Sequence, residues 1–254
     1  MTNNNKLLQN NFNQAASAYM ENAQIQTVSA LKIIDLLPKY HTGDLILDLG
    51  SGPGTMQHNK LVNYSSLSFD LSIDMLRVAK SKLKVNGDAN SLPFANNTFS
   101  TIISNLMIQW ATNKSLILNE IYRILKPNGI LIFTTLVKPS LFELQIAWQE
   151  VDNKSHTLHF LNQGSYLSHL KDSRFHLTQS LSWQSIIYFP TLKELLQHFK
   201  KTGTSLAKSS SNDGLGGKRQ LENLATAYNR LMTNKGLPLT YAYLLIVAKK
   251  EIIR

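Results

Sequence analysis

The chain contains no cysteine. That excludes a thiol nucleophile, a Cys-ligated metal centre and a disulfide scaffold. Acidic residues are scarce: 16 Asp+Glu face 26 Lys+Arg, a net charge of +10. A surplus of that size points to an acidic partner, such as nucleic acid, an anionic membrane surface or an acidic protein, without choosing among them. Long apolar runs are missing too. The longest, Gly129–Val137 and Tyr241–Ala248, fall well short of the ~20 residues that cross a bilayer. The opening MTNNNKLLQNNFNQ has no apolar core of the kind a signal peptide needs. The expectation is a soluble, cytoplasmic protein with no membrane role.

What is present is ordinary for a globular protein: 254 residues, 43% hydrophobic and 17% charged. At ~150 residues per domain, this suits one α/β domain carrying an insertion. Phe12–Leu37 has helical spacing, with Pro38 closing it. An alternation follows. Leu45–Leu49 reads as a buried strand, then a Gly-rich turn and a short helix from Thr55. Ser65–Phe69 is a second strand, followed by a helix from Ser72 to Leu83. A brief third strand surrounds Val85, and Phe99–Ser104 is a fourth. Asn113–Leu125 is a helix, Lys126-Pro-Asn-Gly129 a turn, and Ile130–Leu136 a fifth strand. Alternating strands and helices predict βαβ units and a doubly wound, mostly parallel sheet of seven strands.

Past Val137 the pattern changes. Pro139–Val151 looks helical, Asp152–Leu170 irregular, Leu177–Phe189 extended and Thr191–Lys201 helical. Thr202–Gly217 reads as a loop, Lys218–Met232 as a helix and Leu239–Ala248 as the last strand. A helical, loop-rich insertion is thus expected before the last two strands. His156 and His159 stand three apart, but no carboxylate partner is expected near them, and no metal is predicted.

The strongest local signal is Leu45-Ile-Leu-Asp48-Leu-Gly50-Ser-Gly52-Pro-Gly54. A strand feeds a glycine turn, where the backbone can approach a ligand. The spacing G-x-G-x-G departs from the dinucleotide pattern G-x-G-x-x-G. Asp48 ahead of the turn suits a cationic amino or sulfonium group better than a pyrophosphate. Asp70 closes the next strand, where an acid takes paired ribose hydroxyls. Asp88 follows the third strand, placed to meet an adenine amino group. Three acids at successive strand ends fit a phosphate-free adenosine ligand, S-adenosylmethionine being the common case.

These residues resemble the class I S-adenosylmethionine-dependent methyltransferases, with their Rossmann-like fold. A narrower likeness rests on Phe12-Asn-Gln-Ala-Ala-x-x-Tyr19, Asp70-Leu-Ser72, Ser104-Asn-Leu-x-x-Gln-Trp110, Phe133-Thr-Thr-Leu-Val137 and Pro238-Leu-Thr-Tyr241. Together they resemble the malonyl-acyl-carrier-protein O-methyltransferases of biotin synthesis, the BioC family. The resemblance implies one methyltransferase domain over 1–254, with 12–37 covering the site and 139–219 facing substrate. It implies that Gly50, Gly52, Asp70 and Leu71 hold the cofactor's methionine and ribose parts, and that Asp88 and Ala89 meet the adenine. Asn105 and Leu106 would line the wall, and Tyr19 would fold over it. His159 and Lys218 stand where arginines are expected.

A carboxylate is already ionised at neutral pH, so methyl transfer to it needs no general base. Neutral donors at the reacting oxygen are expected, with Tyr19, Gln109 and Trp110 as candidates. The charge gathers in Lys193–Arg219, which holds six basic residues against Glu194 and Asp213. Lys200, Lys201, Lys208, Lys218 and Arg219 would form a landing patch for an acidic acyl-carrier protein. The competing readings are another class I methyltransferase acting on a small molecule or RNA, and a non-catalytic basic RNA-binding module. Ser104-Asn-Leu-Met107 lacks the Asn/Asp-Pro-Pro-aromatic motif of base methylation, which disfavours nucleic acid.

Overall fold

The computed structural model describes residues 3–41, 43, 45–59, 61–152, 154–204 and 214–251. Its centre is a seven-stranded sheet. Five parallel strands, β1 (Ile46–Leu49), β2 (Ser66–Asp70), β3 (Leu83–Asn86), β4 (Phe99–Asn105) and β5 (Leu125–Leu136), are joined by β6 (Phe175–Phe189) and β7 (Leu237–Lys250). The order is 3-2-1-4-5-7-6, with β7 antiparallel to both of its neighbours. The first three strands build outward in one direction and β4 and β5 in the other, so the order reverses between β1 and β4. A crevice at the carboxyl ends of these strands is where such sheets bind ligands.

Alternation along the central strands assigns each face of the sheet its own core. Leu47, Leu49, Ile102, Leu131, Phe133 and Ile246 point to the face covered by α6 (Lys114–Ile124) and α8 (Gln163–Asp172). Ile46, Ile103, Ile132, Leu245 and Val247 point to the other, covered by α3 (Gln24–Tyr40). Burial on both faces explains why β1 reads as an apolar run broken only by Asp48, and why β4 buries its small polar residues Thr101 and Ser104 as well. A third cluster forms where the first half of β7, with Leu237, Leu239, Tyr241 and Tyr243, meets helices beyond the central strands. It joins Leu106 and Leu136 to α7 (Phe142–Gln149), α9 (Leu192–Lys201) and α10 (Gly214–Asn229).

Several boundaries differ from the sequence reading, each for a local reason. The predicted Phe12–Leu37 helix is three pieces: α1 (Asn3–Ala15), α2 (Tyr19–Asn22) and α3. Ala15, Ala16 and Ala23 are buried at the breaks, where tertiary packing overrides alanine's helix propensity. The polar, Asn-rich start is therefore helical from Asn3, and Pro38 sits inside the last turn of α3 instead of ending it. The helix expected to run from Ser72 to Leu83 stops at Val78. Ser72 does cap this helix, α5 (Ile73–Val78), its hydroxyl accepting from Met75 N at 3.1 Å. The turn after Gly54 leads into only one helical turn, α4 (Thr55–His58). The Asp152–Leu170 stretch, expected to be irregular, contains α8, whose cap is Asn162. Lys126–Gly129 is a bulge within β5, marked by the register shift between Phe99 and Thr101 opposite it and by positive φ at Asn128. No helix among the described residues is long and apolar enough to cross a membrane.

Candidate active site

One cavity opens at the crevice where the strand order reverses. At one end it is lined by Gly50, Gly52, Asp70, Leu71, Asp88 and Ala89. The turn glycines act differently. Gly50 has φ +73°, and a Cβ there would lie 2.3 Å from Met107 Cγ; Gly52 has φ +54°, with nothing within 4 Å of where its Cβ would be. Gly50 therefore seats the turn against Met107, while Gly52 leaves space for a ligand. Gly50→Ala combines a clash with a left-handed backbone, a cost of about 2–4 kcal/mol. Thermal unfolding should show the loss, and cofactor affinity should fall with it.

The three acids are held in three ways. Asp70 accepts from Gly52 N at 2.7 Å and Ser72 N at 2.8 Å, locking the β1 and β2 turns together. Burial raises its pKa despite these bonds. Asp88 accepts from Asn90 N at 2.9 Å, and from Asn5 Nδ2 at 2.9 Å. Asp48 is buried beneath the turn and is not part of the cavity wall. Among the described residues neither of its oxygens has a hydrogen-bond partner, and burial, then Asp70, raise its pKa well above the usual carboxylate range. A carboxyl with a raised folded pKa contributes stability that is present below about pH 4 and lost as pH climbs toward the folded value. Asp48→Asn removes that loss. Its advantage in melting temperature over the natural chain should widen from pH 4 to pH 8.

α1 lies over this end of the cavity, with Asn5, Leu8 and Phe12 in the wall. Asn5, Gln9 and Asn13 recur every fourth residue on one helix face. Gln9 Nε2 donates to Leu71 O at 2.9 Å, and the Ser72 hydroxyl donates to Asn13 Oδ1 at 2.5 Å. Phe12 meets Trp110 edge-on at 5.6 Å. Sequence reasoning missed Asn5, Leu8 and Gln9, because a largely polar stretch near a terminus reads as a tail; the i, i+4, i+8 spacing of Asn5, Gln9 and Asn13 was the available signal.

The predicted positioning residues converge. Tyr19, Gln109 and Trp110 all line the cavity. Tyr19 is half-buried, and desolvation followed by nearby Asp70 raises its pKa, while the Gln26 amide partly offsets the rise. Gln26 Oε1, in this wall, is a buried acceptor without a partner among the described residues, and Gln26 is another residue that sequence reasoning missed. Gln109 Oε1 accepts from Thr135 Oγ1 at 3.2 Å, which leaves the amide nitrogen as its donor. Asn105 and Leu106 line the wall at the end of β4. Asn105 Oδ1 takes hydrogen bonds from Ser29 and Thr134, each at 2.7 Å, and its Nδ2 donates to Gln26 O at 2.9 Å. Leu106 and Leu141, both in the wall, have φ near +51° and +59°. Branched residues rarely adopt such values, and they persist only where packing enforces them.

Beyond Leu106 the cavity becomes an apolar chamber of Ile25, Leu136, Leu141, Leu158, Phe160 and Phe199, with Thr204 and Tyr241. No Lys, Arg or His is among the described lining residues. His159 is exposed, while its neighbours Leu158 and Phe160 face the chamber. His156 does have a carboxylate partner, contrary to the sequence reading. Asp152 lies 2.7 Å from its Nε2, and the ring stacks on Trp148. Lys200 and Lys218 border a separate groove between α9 and α10, floored by Leu192, Leu196, Leu221 and Ala225. Lys201 and Arg219 are exposed nearby in sequence; Lys208 lies outside the described residues.

The unpartnered acceptor on Gln26, the open space over Gly52 and the acids on successive strands fit a cofactor with a cationic amino group and an adenosine. Sheet order and cavity together define a class I S-adenosylmethionine-dependent methyltransferase, and its methyl donor is S-adenosylmethionine. The methyltransferase-domain family matches residues 47–133. A solved Bacillus halodurans structure, assigned to the methyltransferases, superposes with a TM-score of 0.62 at 16% identity, covering 87% of this chain and 99% of that one. The malonyl-[acyl-carrier protein] O-methyltransferase of Yersinia pestis is 32% identical over 91% of this chain and 86% of its own length. The biotin biosynthesis bifunctional protein BioHC of Cellvibrio japonicus is 30% identical over 96% of this chain, which spans half of that protein. The chain belongs to the malonyl-[acyl-carrier protein] O-methyltransferase family.

Proposed function

We propose that this enzyme methylates the free carboxylate of a malonyl thioester carried on an acyl-carrier protein, within cytoplasmic biotin synthesis. The observation that carries this reading is the chamber wall, apolar and free of cations among the described residues. When bound, S-adenosylmethionine supplies a methyl on cationic sulfur, which a carboxylate oxygen takes by in-line displacement. The protein's part is to align that oxygen and exclude water. A Lys or Arg at the reacting oxygen would lower its nucleophilicity; Tyr19, Gln109 and Trp110 offer neutral donors instead. In this reading residues 1–254 act as one methyltransferase domain. Gly50, Gly52, Asp70, Leu71, Asp88, Ala89, Asn105 and Leu106 serve the cofactor. Asp48, read from the sequence as a cofactor contact, instead lies beneath the turn outside the cavity wall. Of residues 12–37, Phe12, Tyr19, Ile25 and Gln26 join the rest of α1 in covering the site, and 139–219 face the substrate.

The test is mass spectrometry after incubation with S-adenosylmethionine and malonyl carrier protein, malonyl-CoA or RNA. One added methyl on the malonyl carrier protein, removed by an esterase, is the expected result. Transfer to RNA with none to any malonyl thioester would refute the reading. An acidic carrier protein also suits the basic groove edge. Lys200→Glu combined with Lys218→Glu should raise KM for malonyl carrier protein by about tenfold. The effect on malonyl-pantetheine, which lacks the protein, should be smaller. Equal effects on the two would remove the groove from the reading.

A further inference from the structure

The segment Pro238-Leu-Thr-Tyr241 begins β7, and cofactor binding does not account for it. Its residues are fastened one by one. The Tyr228 hydroxyl donates to Pro238 O at 2.8 Å. Thr240 N donates to the buried carboxylate of Glu143 at 3.0 Å, and the Thr240 hydroxyl donates to the same group. The backbone on the N-terminal side of Tyr241 is thereby fixed.

Tyr241 is buried and lines the apolar chamber. Its hydroxyl lies 3.2 Å from His198 Nε2 on α9, and the next residue of that helix, Phe199, is also in the chamber wall. Burial, aided by Lys201, lowers the His198 pKa to about 4, so the ring is neutral and carries one N–H. With that hydrogen on Nε2, His198 donates to the phenol oxygen, and the phenol O–H is free to donate to a ligand. Burial, Tyr243, Tyr228 and Glu143 all raise the Tyr241 pKa, so the phenol keeps its proton. A neutral O–H is thus placed in a chamber whose described wall holds no cation.

We propose that Tyr241, oriented by His198, donates the hydrogen bond that seats an oxygen of the acceptor in the chamber. His198 acts as a positioning residue and does not itself touch the acceptor. The inference rests on the malonyl-thioester reading above and adds a specificity-determining residue to it.

The test measures methyl transfer to malonyl carrier protein by the full chain, with S-adenosylmethionine binding followed separately by calorimetry. Tyr241→Phe removes one oxygen and keeps the ring. It should lower kcat/KM roughly ten- to hundredfold while cofactor Kd stays within about twofold. His198→Leu should produce a similar loss. His198→Gln, which can place an N–H near the Nε2 position, should recover most of the activity. The double variant Tyr241→Phe/His198→Leu should lose no more than the worse single one. Natural kcat/KM in Tyr241→Phe or His198→Leu would overturn the inference while leaving the malonyl-thioester reading intact. If Tyr241→Phe fails to fold, the contrast between His198→Leu and His198→Gln decides. A natural enzyme that puts no methyl on any malonyl thioester refutes both the reading and the inference.

Discussion

Asp70→Ala is expected to weaken S-adenosylmethionine binding by about 2–4 kcal/mol, or roughly thirty- to a thousandfold. More is lost than an acid facing ribose hydroxyls. Asp70 bonds Gly52 N and Ser72 N at once, so it fixes the position of both turns that meet at the cavity. Alanine leaves both N–H groups without their acceptor and removes the carboxylate from the wall. Stability should change less than affinity, because burial raises the Asp70 pKa and its charge is costly to keep in the ligand-free fold. Calorimetric titration and thermal unfolding separate the two quantities. An unchanged Kd with a lowered melting temperature would reduce Asp70 to a purely structural residue.

The second large effect is expected at Asn105, and there the balance reverses. Asn105→Ala takes from the Thr134 hydroxyl its acceptor and cuts the bonds to the Ser29 hydroxyl and the Gln26 carbonyl, which keep only contacts within α3, at the junction of α3 with β4 and β5. A buried network cut at its shared member costs more than one bond, about 2–4 kcal/mol here. At about 2–4 °C per kcal/mol for a chain of this size, the melting temperature should fall by roughly 5–15 °C. Cofactor affinity should also drop, since Gln26 and Tyr19 depend on the same anchorage. A variant that melts like the natural chain would show that α3 is held by apolar packing alone. The sequence reading made Asn105 a wall residue; it is one, and it also ties a helix to the sheet.

The sheet was legible because its signals are local. Five short strand-like segments, the first and fifth strongly apolar, separated by helical spacing leave few alternatives to a parallel sheet, and a glycine turn after the first marks the ligand end. Site residues at the ends of strands were legible for the same reason: strand ends converge at the crevice whatever the loops do. Asn5 and Gln9 were not, since a polar face is informative only once its partners Asp88 and Leu71 are known to lie opposite. Tyr241 stood in a segment quoted for its resemblance, yet nothing local links it to His198, forty-three residues away in sequence. The helix breaks at Ala16 and Ala23 were hidden because alanine is the best helix former, and only burial against the rest of the fold stops it there.

The amide row on α1 separates two functions that a chain of net charge +10 could easily have mixed. Asn5, Gln9 and Asn13 fasten the cover over the cofactor end with uncharged side chains. Under the proposed function, ionic strength screens a carrier encounter at Lys200, Lys218 and Arg219, but it has little hold on short, partly buried amide bonds. Salt therefore acts as a selective probe of this enzyme. Turnover should decline with added salt through KM for the carrier, while the residence time of the cofactor stays nearly constant.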